Sequence, residues 1–75
     1  FNPETNISFM LNETGSVEVS IYDLTGKKIA EIFEGSLTRG YHTFRWDATN
    51  YSSGIYFYII KSDFSSVSKK IMLLK

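Results

Sequence analysis

Cysteine is absent from this 75-residue chain, so neither a disulfide nor a thiolate nucleophile can form part of its structure. There is one histidine, His42, which lies between Tyr41 and Thr43 in a run of alternating residues. No serine or aspartate stands in a recognisable catalytic elbow that would partner this histidine as a general base. We therefore predict that the chain is not an enzyme, has no catalytic residues and uses no cofactor.

Long apolar runs and an excess of one charge are also missing. No apolar run approaches the roughly 20 residues of a membrane-spanning helix. Eight basic residues balance eight acidic ones, whereas a nucleic-acid-binding domain carries a basic excess, so we predict no nucleic-acid partner. The segment Asp47-Ala48-Thr49-Asn50 offers too few oxygen ligands for calcium, and no phosphate-binding glycine motif is present. We predict no metal site.

The charges are distributed unevenly along the chain. Residues 1–36 carry a net charge of −4, whereas residues 61–75 carry +3. Such a gradient is typical of solvated strand faces in a small domain.

The chain does contain a period-two alternation of apolar and polar residues, clearest over Val17–Tyr22. Turn residues interrupt the alternation at regular spacing, as in an all-β sandwich. No run has helical periodicity. We predict one domain, residues 1–75, that forms an immunoglobulin-like antiparallel β-sandwich of six to seven strands. The strands are expected near residues 7–11, 17–22, 28–34, 41–47, 54–60 and 67–74, with a further short strand near 36–38 inside a loop over 35–40.

Three features of these runs give more specific expectations. Ile29 and Ile32 lie three residues apart, which indicates a β-bulge or an early strand end. The run over 55–60 is apolar or aromatic on both faces, which is typical of a central strand. The last strand is expected to dock through apolar residues on both of its sides. The residues predicted to be most buried are Val19, Ile21, Phe44, Trp46 and Tyr56.

The tyrosines allow two interpretations. They are Tyr22, Tyr41, Tyr51, Tyr56 and Tyr58. They could form a stacking platform for sugars, or they could cover a thin core and pair across strands. Tyr56 and Tyr58 share a strand face with Ile60, which favours burial.

Taken together, five segments resemble the type A C-terminal sorting domains of the type IX secretion system. The opening Phe1-Asn2-Pro3, followed by Thr5 and Ile7, resembles that family's "NPxxxxI" pattern, with three residues instead of four between Pro3 and Ile7. The other matching segments are Val19–Lys27 with Tyr22, Asp23 and Gly26, Gly40–Asp47 with Trp46, Gly54–Phe57 with Tyr56, and Lys70–Lys75. The immunoglobulin-like domain of flagellar hook-capping proteins shares much of this pattern. Asn12-Glu13 departs from it, because "LP" or a similar pair is usual there.

The resemblance implies a non-catalytic secretion signal that directs a parent protein through the periplasm and outer membrane of a Gram-negative bacterium. The implied location is the cell surface or the exterior, and the implied partners are the outer-membrane secretion machinery and an upstream cargo domain. The residues expected in sorting or recognition are Gly54, Tyr56, Lys69, Lys70 and Lys75. The residues expected to maintain the fold are Tyr22, Asp23, Gly26, Gly40, Trp46 and Asp47, with Tyr22 and Trp46 filling the space between the sheets.

Two alternatives and one hypothesis about association stay open at this point. The chain could be a carbohydrate-binding or fibronectin-like accessory module of a secreted enzyme, or a structural immunoglobulin-like domain of an appendage protein. Because a small sandwich without disulfides is only marginally stable, we also expect that it can form a homodimer by pairing or swapping an edge strand.

Overall fold

The computed structural model describes residues 3–75, which form six β-strands and no helix. Phe1 and Asn2 of the opening motif lie outside the described residues. The strands form two antiparallel sheets, one with the order β1-β4 and one with the order β3-β2-β5-β6. This arrangement confirms the predicted all-β sandwich. The strands are β1 (Glu4–Leu11), β2 (Gly15–Asp23), β3 (Lys28–Leu37), β4 (Gly40–Asp47), β5 (Gly54–Ser62) and β6 (Ser66–Leu73).

The core lies between the two sheets and follows the alternation of each strand. On β2, Val17, Val19 and Ile21 face the core and are at most 2% exposed, so the cleanest alternating run is also the best buried. Burial of such aliphatic side chains is the main stabilising contribution in a domain of this size. The buried apolar residues are Ile7, Leu11, Val17, Val19, Ile21, Trp46, Ala48, Tyr56, Tyr58, Ile60 and Leu73.

The burial predictions are confirmed for Val19, Ile21, Trp46 and Tyr56, but the prediction for Phe44 is wrong. Phe44 faces the core yet stays half-buried. Its ring stacks on those of Phe33 and Phe9, with centroids 5.0 and 6.1 Å away. These rings cover it only in part, because they belong to residues that are themselves half-buried.

The predicted β-bulge is confirmed on β3. The β2–β3 register skips one residue between Phe33 and Glu31 and another between Ala30 and Lys28. The two unpaired residues are Ile32 and Ile29, the same pair whose spacing departs from period two. An extra residue on one strand resets the alternation, which is why the apolar phase of this run is irregular.

The predicted loop over 35–40 and its separate short strand are wrong, because β3 continues without a break to Leu37. Gly35 and Leu37 pair with Val17 and Gly15, so β2 holds this segment as a strand through its whole length. Only Thr38 and Arg39 connect β3 to β4 in the other sheet.

The position of β5 confirms the central-strand prediction, whereas the predicted position of Tyr22 is wrong. β5 pairs with β2 on one side and β6 on the other. Tyr22 alternates with the buried Ile21, so it points to the outer face of the four-stranded sheet, where it stands opposite Phe57. It is half-buried and does not fill the space between the sheets.

Trp46→Ala should destabilise the domain by about 3–5 kcal/mol, the usual cost of removing a large aromatic side chain from a core. Trp46 is only 3% exposed, and the rings of Tyr51 and Tyr56 lie 5.4 and 5.5 Å from it. Chemical denaturation followed by circular dichroism measures the loss. Tyr41→Ala is the control, because Tyr41 is 66% exposed and should change the free energy of unfolding little. Equal stability of the Trp46 variant and wild type would contradict the packing.

Candidate functional site

The motif over Val19–Lys27 covers the second half of β2 and the tight turn that connects β2 to β3. Asp23 Oδ1 accepts hydrogen bonds from the Thr25 amide at 2.9 Å, the Thr25 hydroxyl at 2.6 Å and the Lys27 amide at 3.0 Å. Gly26 has a φ of 88°, which only glycine adopts without strain. The aspartate and the glycine therefore act on the backbone of the turn itself.

A second aspartate turn follows β4. Asp47 Oδ1 accepts hydrogen bonds from both the amide and the hydroxyl of Thr49. The amide of Ala48 donates to the Pro3 carbonyl at 2.9 Å, which ties this turn to the start of β1. The matched Gly40–Asp47 segment is thus one strand with its following turn, and it begins at Gly40, whose φ is 136°.

These hydrogen bonds favour the charged form of each carboxylate. The Thr25 hydroxyl and then the Lys27 amide hold the pKa of Asp23 below its ordinary value. The hydroxyl and amide of Thr49 do the same for the pKa of Asp47. Both aspartates are therefore ionised at neutral pH and serve as fixed acceptors in their turns, with no proton to donate.

Gly54 and Tyr56 belong to the packed interior and its adjoining loop. Tyr56 is 9% exposed, lies against Trp46, and donates a hydrogen bond from its hydroxyl to the Ser52 carbonyl at 2.6 Å. Gly54 pairs with Leu73 at the start of β5. The structure therefore places Tyr56 in the core and Gly54 at the start of β5, next to Ser53, whose hydroxyl accepts a hydrogen bond from the Lys75 amide.

β6 is an edge strand, and the lysines on it point in different directions. It pairs with β5 along its whole length without a register shift, and within residues 3–75 no strand lies on its other side. Lys69 stands opposite Tyr58 on the inner face, whereas Lys70 stands opposite Phe57 on the outer face. Both are exposed, and neither forms an ion pair within residues 3–75.

The third lysine, Lys75, is exposed but tethered. Its ammonium group donates to the Thr49 carbonyl at 2.5 Å, and its amide donates to Ser53 Oγ at 3.1 Å. These bonds fasten the segment after β6 to the loop that contains the second aspartate turn. The expected docking of the last strand on both sides is wrong: Leu73 is fully buried, whereas Met72 and Leu74 are half-exposed or more.

The tyrosines do not share an exposed face. Tyr56 and Tyr58 are buried, which confirms the prediction of burial for this pair. Tyr51 is half-buried and donates a hydrogen bond to the Ile29 carbonyl. Tyr41 lies on the outer face of the two-stranded sheet and Tyr22 on that of the other sheet. The tyrosines are thus divided among three surfaces, whereas a sugar-stacking platform needs rings on one.

The histidine contacts a backbone carbonyl group and an aromatic ring. His42 Nε2 lies 2.6 Å from the Thr38 carbonyl oxygen, and the ring packs 5.8 Å from that of Phe9. Across residues 3–75, no three side chains of the types His, Cys, Asp or Glu are grouped closely enough to hold a metal ion. The same residues contain no helix that could cross a membrane.

Comparison with known proteins gives one match. Residues 2–74 match a family model described as the secretion system C-terminal sorting domain, which covers nearly the whole chain. Neither the curated proteins nor the solved structures contain a match.

The two aspartate turns should make the domain sensitive to acid. An unfolded aspartate has a pKa of about 3.9, and the folded pKa of Asp23 and Asp47 is lower. Their stabilisation is therefore present above about pH 4 and is lost as the pH falls through the folded pKa values. Asp23→Asn with Asp47→Asn should weaken the fall of Tm between about pH 4 and pH 2. Thermal melts at a series of pH values measure the effect.

The control for this experiment is Asp63→Asn. Asp63 is exposed and accepts no hydrogen bond from residues 3–75, so this variant should keep the acid sensitivity of wild type. A double variant that loses as much Tm in acid as wild type would contradict the assignment to the two turns.

Proposed function

The chain belongs to the family of secretion-system C-terminal sorting domains, and from this premise we propose how its structure serves sorting. The domain is a C-terminal sorting signal of the type IX secretion system, which marks a secreted or cell-surface protein of the Bacteroidetes. Its partners are that secretion machinery and an upstream cargo protein. The route that we propose runs through the periplasm and across the outer membrane of this Gram-negative cell.

We propose that residues 1–75 act as one passive domain that performs no chemistry. The family is non-catalytic in general. Two observations support the same role for this chain: His42 lies against a backbone carbonyl, and the turn aspartates are held ionised by their own turns. His42, Asp23 and Asp47 are thus engaged in maintaining the fold.

The observation that carries the recognition proposal is the open edge of β6. An unpaired strand edge presents a row of amide and carbonyl groups to which a partner strand can add. β6 has no proline, glycine or register shift that would spoil such pairing. We propose that the export machinery reads this strand by main-chain hydrogen bonds.

The lysines would attract an acidic partner to this edge. Lys69 and Lys70 leave the strand on opposite faces, and Lys75 follows at its end, so positive charge surrounds the edge. Residues 64–75 contain no acidic side chain. Charges at the rim of an interface mainly accelerate encounter, so an acidic partner would be steered toward β6. Gly54 and Tyr56 would act indirectly, because they help to position β5, the strand with which β6 pairs.

The same edge supports a hypothesis of self-association. A domain of this size is close to break-even, since about 1.5 kcal/mol of ordering cost per residue nearly cancels the gain from burial. Pairing or swapping β6 between two copies would bury more surface. The lysines oppose simple pairing, because like charges that face each other across strands are destabilising. Association is therefore expected only at high protein concentration.

Lys70→Ala with Lys75→Ala should reduce export of a reporter that carries residues 1–75 at its C-terminus. Both side chains are exposed, and the double substitution removes one surface hydrogen bond, from the Lys75 ammonium group to the Thr49 carbonyl. The circular dichroism melt should therefore shift only slightly, while the machinery loses two recognition charges. Export is measured as reporter in the medium or on the surface of a strain that has this secretion system.

The matched control is Lys27→Ala with Arg39→Ala. It removes the same charge from two exposed side chains that lie outside β6. If the folded Lys70 and Lys75 variant exports the reporter as well as wild type, these lysines serve solubility alone.

Light scattering across a wide range of concentrations tests self-association. We expect a monomer at low concentration and a rising mass at high concentration, because edge pairing is a weak interaction that mass action must drive. A constant monomer mass throughout would refute the hypothesis and would leave the sorting role intact.

A further inference from the structure

The side chains of β6 pack against the rest of the domain at one end only. The strand pairs with β5 from Ser66 to Leu73, but Leu73 is its only buried residue. Ile71 is half-buried, and the other residues of the strand are exposed. Because burial of apolar side chains is the dominant favourable contribution to folding, the first part of β6 depends mainly on its main-chain hydrogen bonds to β5.

Lys75 fastens the same end of the strand to the loop between β4 and β5. Its ammonium group donates a hydrogen bond to the Thr49 carbonyl at 2.5 Å, and its amide donates one to Ser53 Oγ at 3.1 Å. Both bonds join parts of the chain that are far apart in sequence. They therefore have to break when β6 leaves β5.

The loop that accepts these bonds is fixed by contacts that do not involve β6. Asp47 Oδ1 accepts hydrogen bonds from the amide and the hydroxyl of Thr49. The Tyr51 amide donates to the Ala48 carbonyl at 3.0 Å, and its hydroxyl donates to the Ile29 carbonyl at 3.2 Å. The loop therefore keeps its shape whether or not β6 is in place, and it can serve as an anchor for Lys75.

The opposite end of β6 is a turn whose hydrogen bonds lie within the turn itself. The Ser62 amide donates to the Ser65 carbonyl at 2.8 Å, and Ser62 Oγ accepts hydrogen bonds from the amides of Phe64 and Ser65 at 3.2 and 3.1 Å. Phe64 is 72% exposed. A turn held in this way can stay formed while the strand beyond it moves, as a hinge does.

We propose that β6 opens from β5 as one unit, hinged at the turn over 62–65 and held closed at its other end by Leu73 and Lys75, which we call the latch. Opening breaks the β5–β6 pairing, the burial of Leu73 and the two Lys75 bonds, but it leaves the strands from β1 to β5 folded. Its free energy is therefore lower than that of global unfolding. The inference concerns the domain itself and does not depend on the sorting function.

Opening makes strand edges available that the closed domain covers. At this side of the sheet the closed domain offers the outer edge of β6. The open form offers the edge of β5, which runs against β6 without a register shift, and both edges of the released strand. Each of these edges can accept a partner strand through main-chain hydrogen bonds. The latch thus controls which strand edges of the domain can be paired.

Native-state hydrogen exchange of the 75-residue chain, followed by NMR, measures the opening. The protected amides of β6, and those of β5 that face it, should exchange through one opening with one free energy, which is lower than that of the β2 amides. β2 lies inside the sheet, so its amides report on global unfolding. Protection that falls gradually toward Ser66 would show fraying, and equal protection in β6 and β2 would show no separate opening. Either result would overturn the hinged unit.

Two single substitutions test the latch in the same experiment. Lys75→Met keeps the apolar stem but removes the ammonium hydrogen bond, a contact that only the closed form has. It should accelerate exchange in β6 and in β2 by the same factor, roughly three- to tenfold, the effect of one net hydrogen bond. Phe33→Leu is the control, because it removes a ring on the opposite edge strand that stacks 5.0 Å from Phe44 in both forms. It should accelerate exchange in β2 and leave β6 unchanged.

The results of the two variants separate the latch from the hinged unit. A Lys75→Met variant that accelerates exchange in β2 but not in β6 would show that the bond persists when β6 opens. One that accelerates neither would show that the bond adds nothing to the closed form, and both results would overturn the role of Lys75 in the latch. A Phe33→Leu variant that accelerates β6 as much as β2 would overturn the hinged unit, because β6 would then open only with the whole domain.

Discussion

The unequal width of the two sheets is the constraint on which the rest of this structure depends. Two strands pack against four, so the inner faces of β2 and β5 are covered completely, while the margins are not. On β6, Leu73 is fully buried but Val67 is 54% exposed and Lys69 reaches solvent, although all three point inward. The chain thus contains a strand that pairs fully yet packs only at one end. The proposed recognition rests on this open edge.

The family motifs divide into residues that act on the backbone and residues that fill the core. Asp23, Asp47 and Gly26 shape turns, whereas Trp46 and Tyr56 pack against each other between the sheets. The motif residues of this sorting domain therefore mainly maintain its fold. Substitutions in it would reduce sorting through loss of the domain, and only surface residues can separate recognition from folding.

The sequence predicted the strands well because period-two alternation is a local property that burial of one face imposes. The same reasoning found the bulge, since Ile29 and Ile32 break the period by one residue each. Other features depend on neighbours that a linear pattern does not name. Phe44 alternates correctly but sits where the covering rings are incomplete, and the residues after Gly35 become a strand only because β2 is long enough to pair with them.

The candidate site was less accessible to sequence reasoning than the fold. Tyr22 shows why: its motif suggested a core residue, but its parity relative to Ile21 places it on the outer face. The two-sided apolar pattern of β5 identified a central strand, and it also predicted coverage on an outer face that residues 3–75 leave half-exposed.

The two edges of the four-stranded sheet differ in how they are protected against pairing with another strand. The β3 edge carries two bulges and the glutamates at 31 and 34, which are standard devices against unwanted pairing. The β6 edge runs straight and has only lysines to protect it. Under the recognition that we propose, the lysines would repel a second β6 but attract an acidic strand, so they would discriminate between partners where a bulge rejects all of them. Under the proposed recognition, a receptor strand that added to this straight edge would gain a row of main-chain hydrogen bonds.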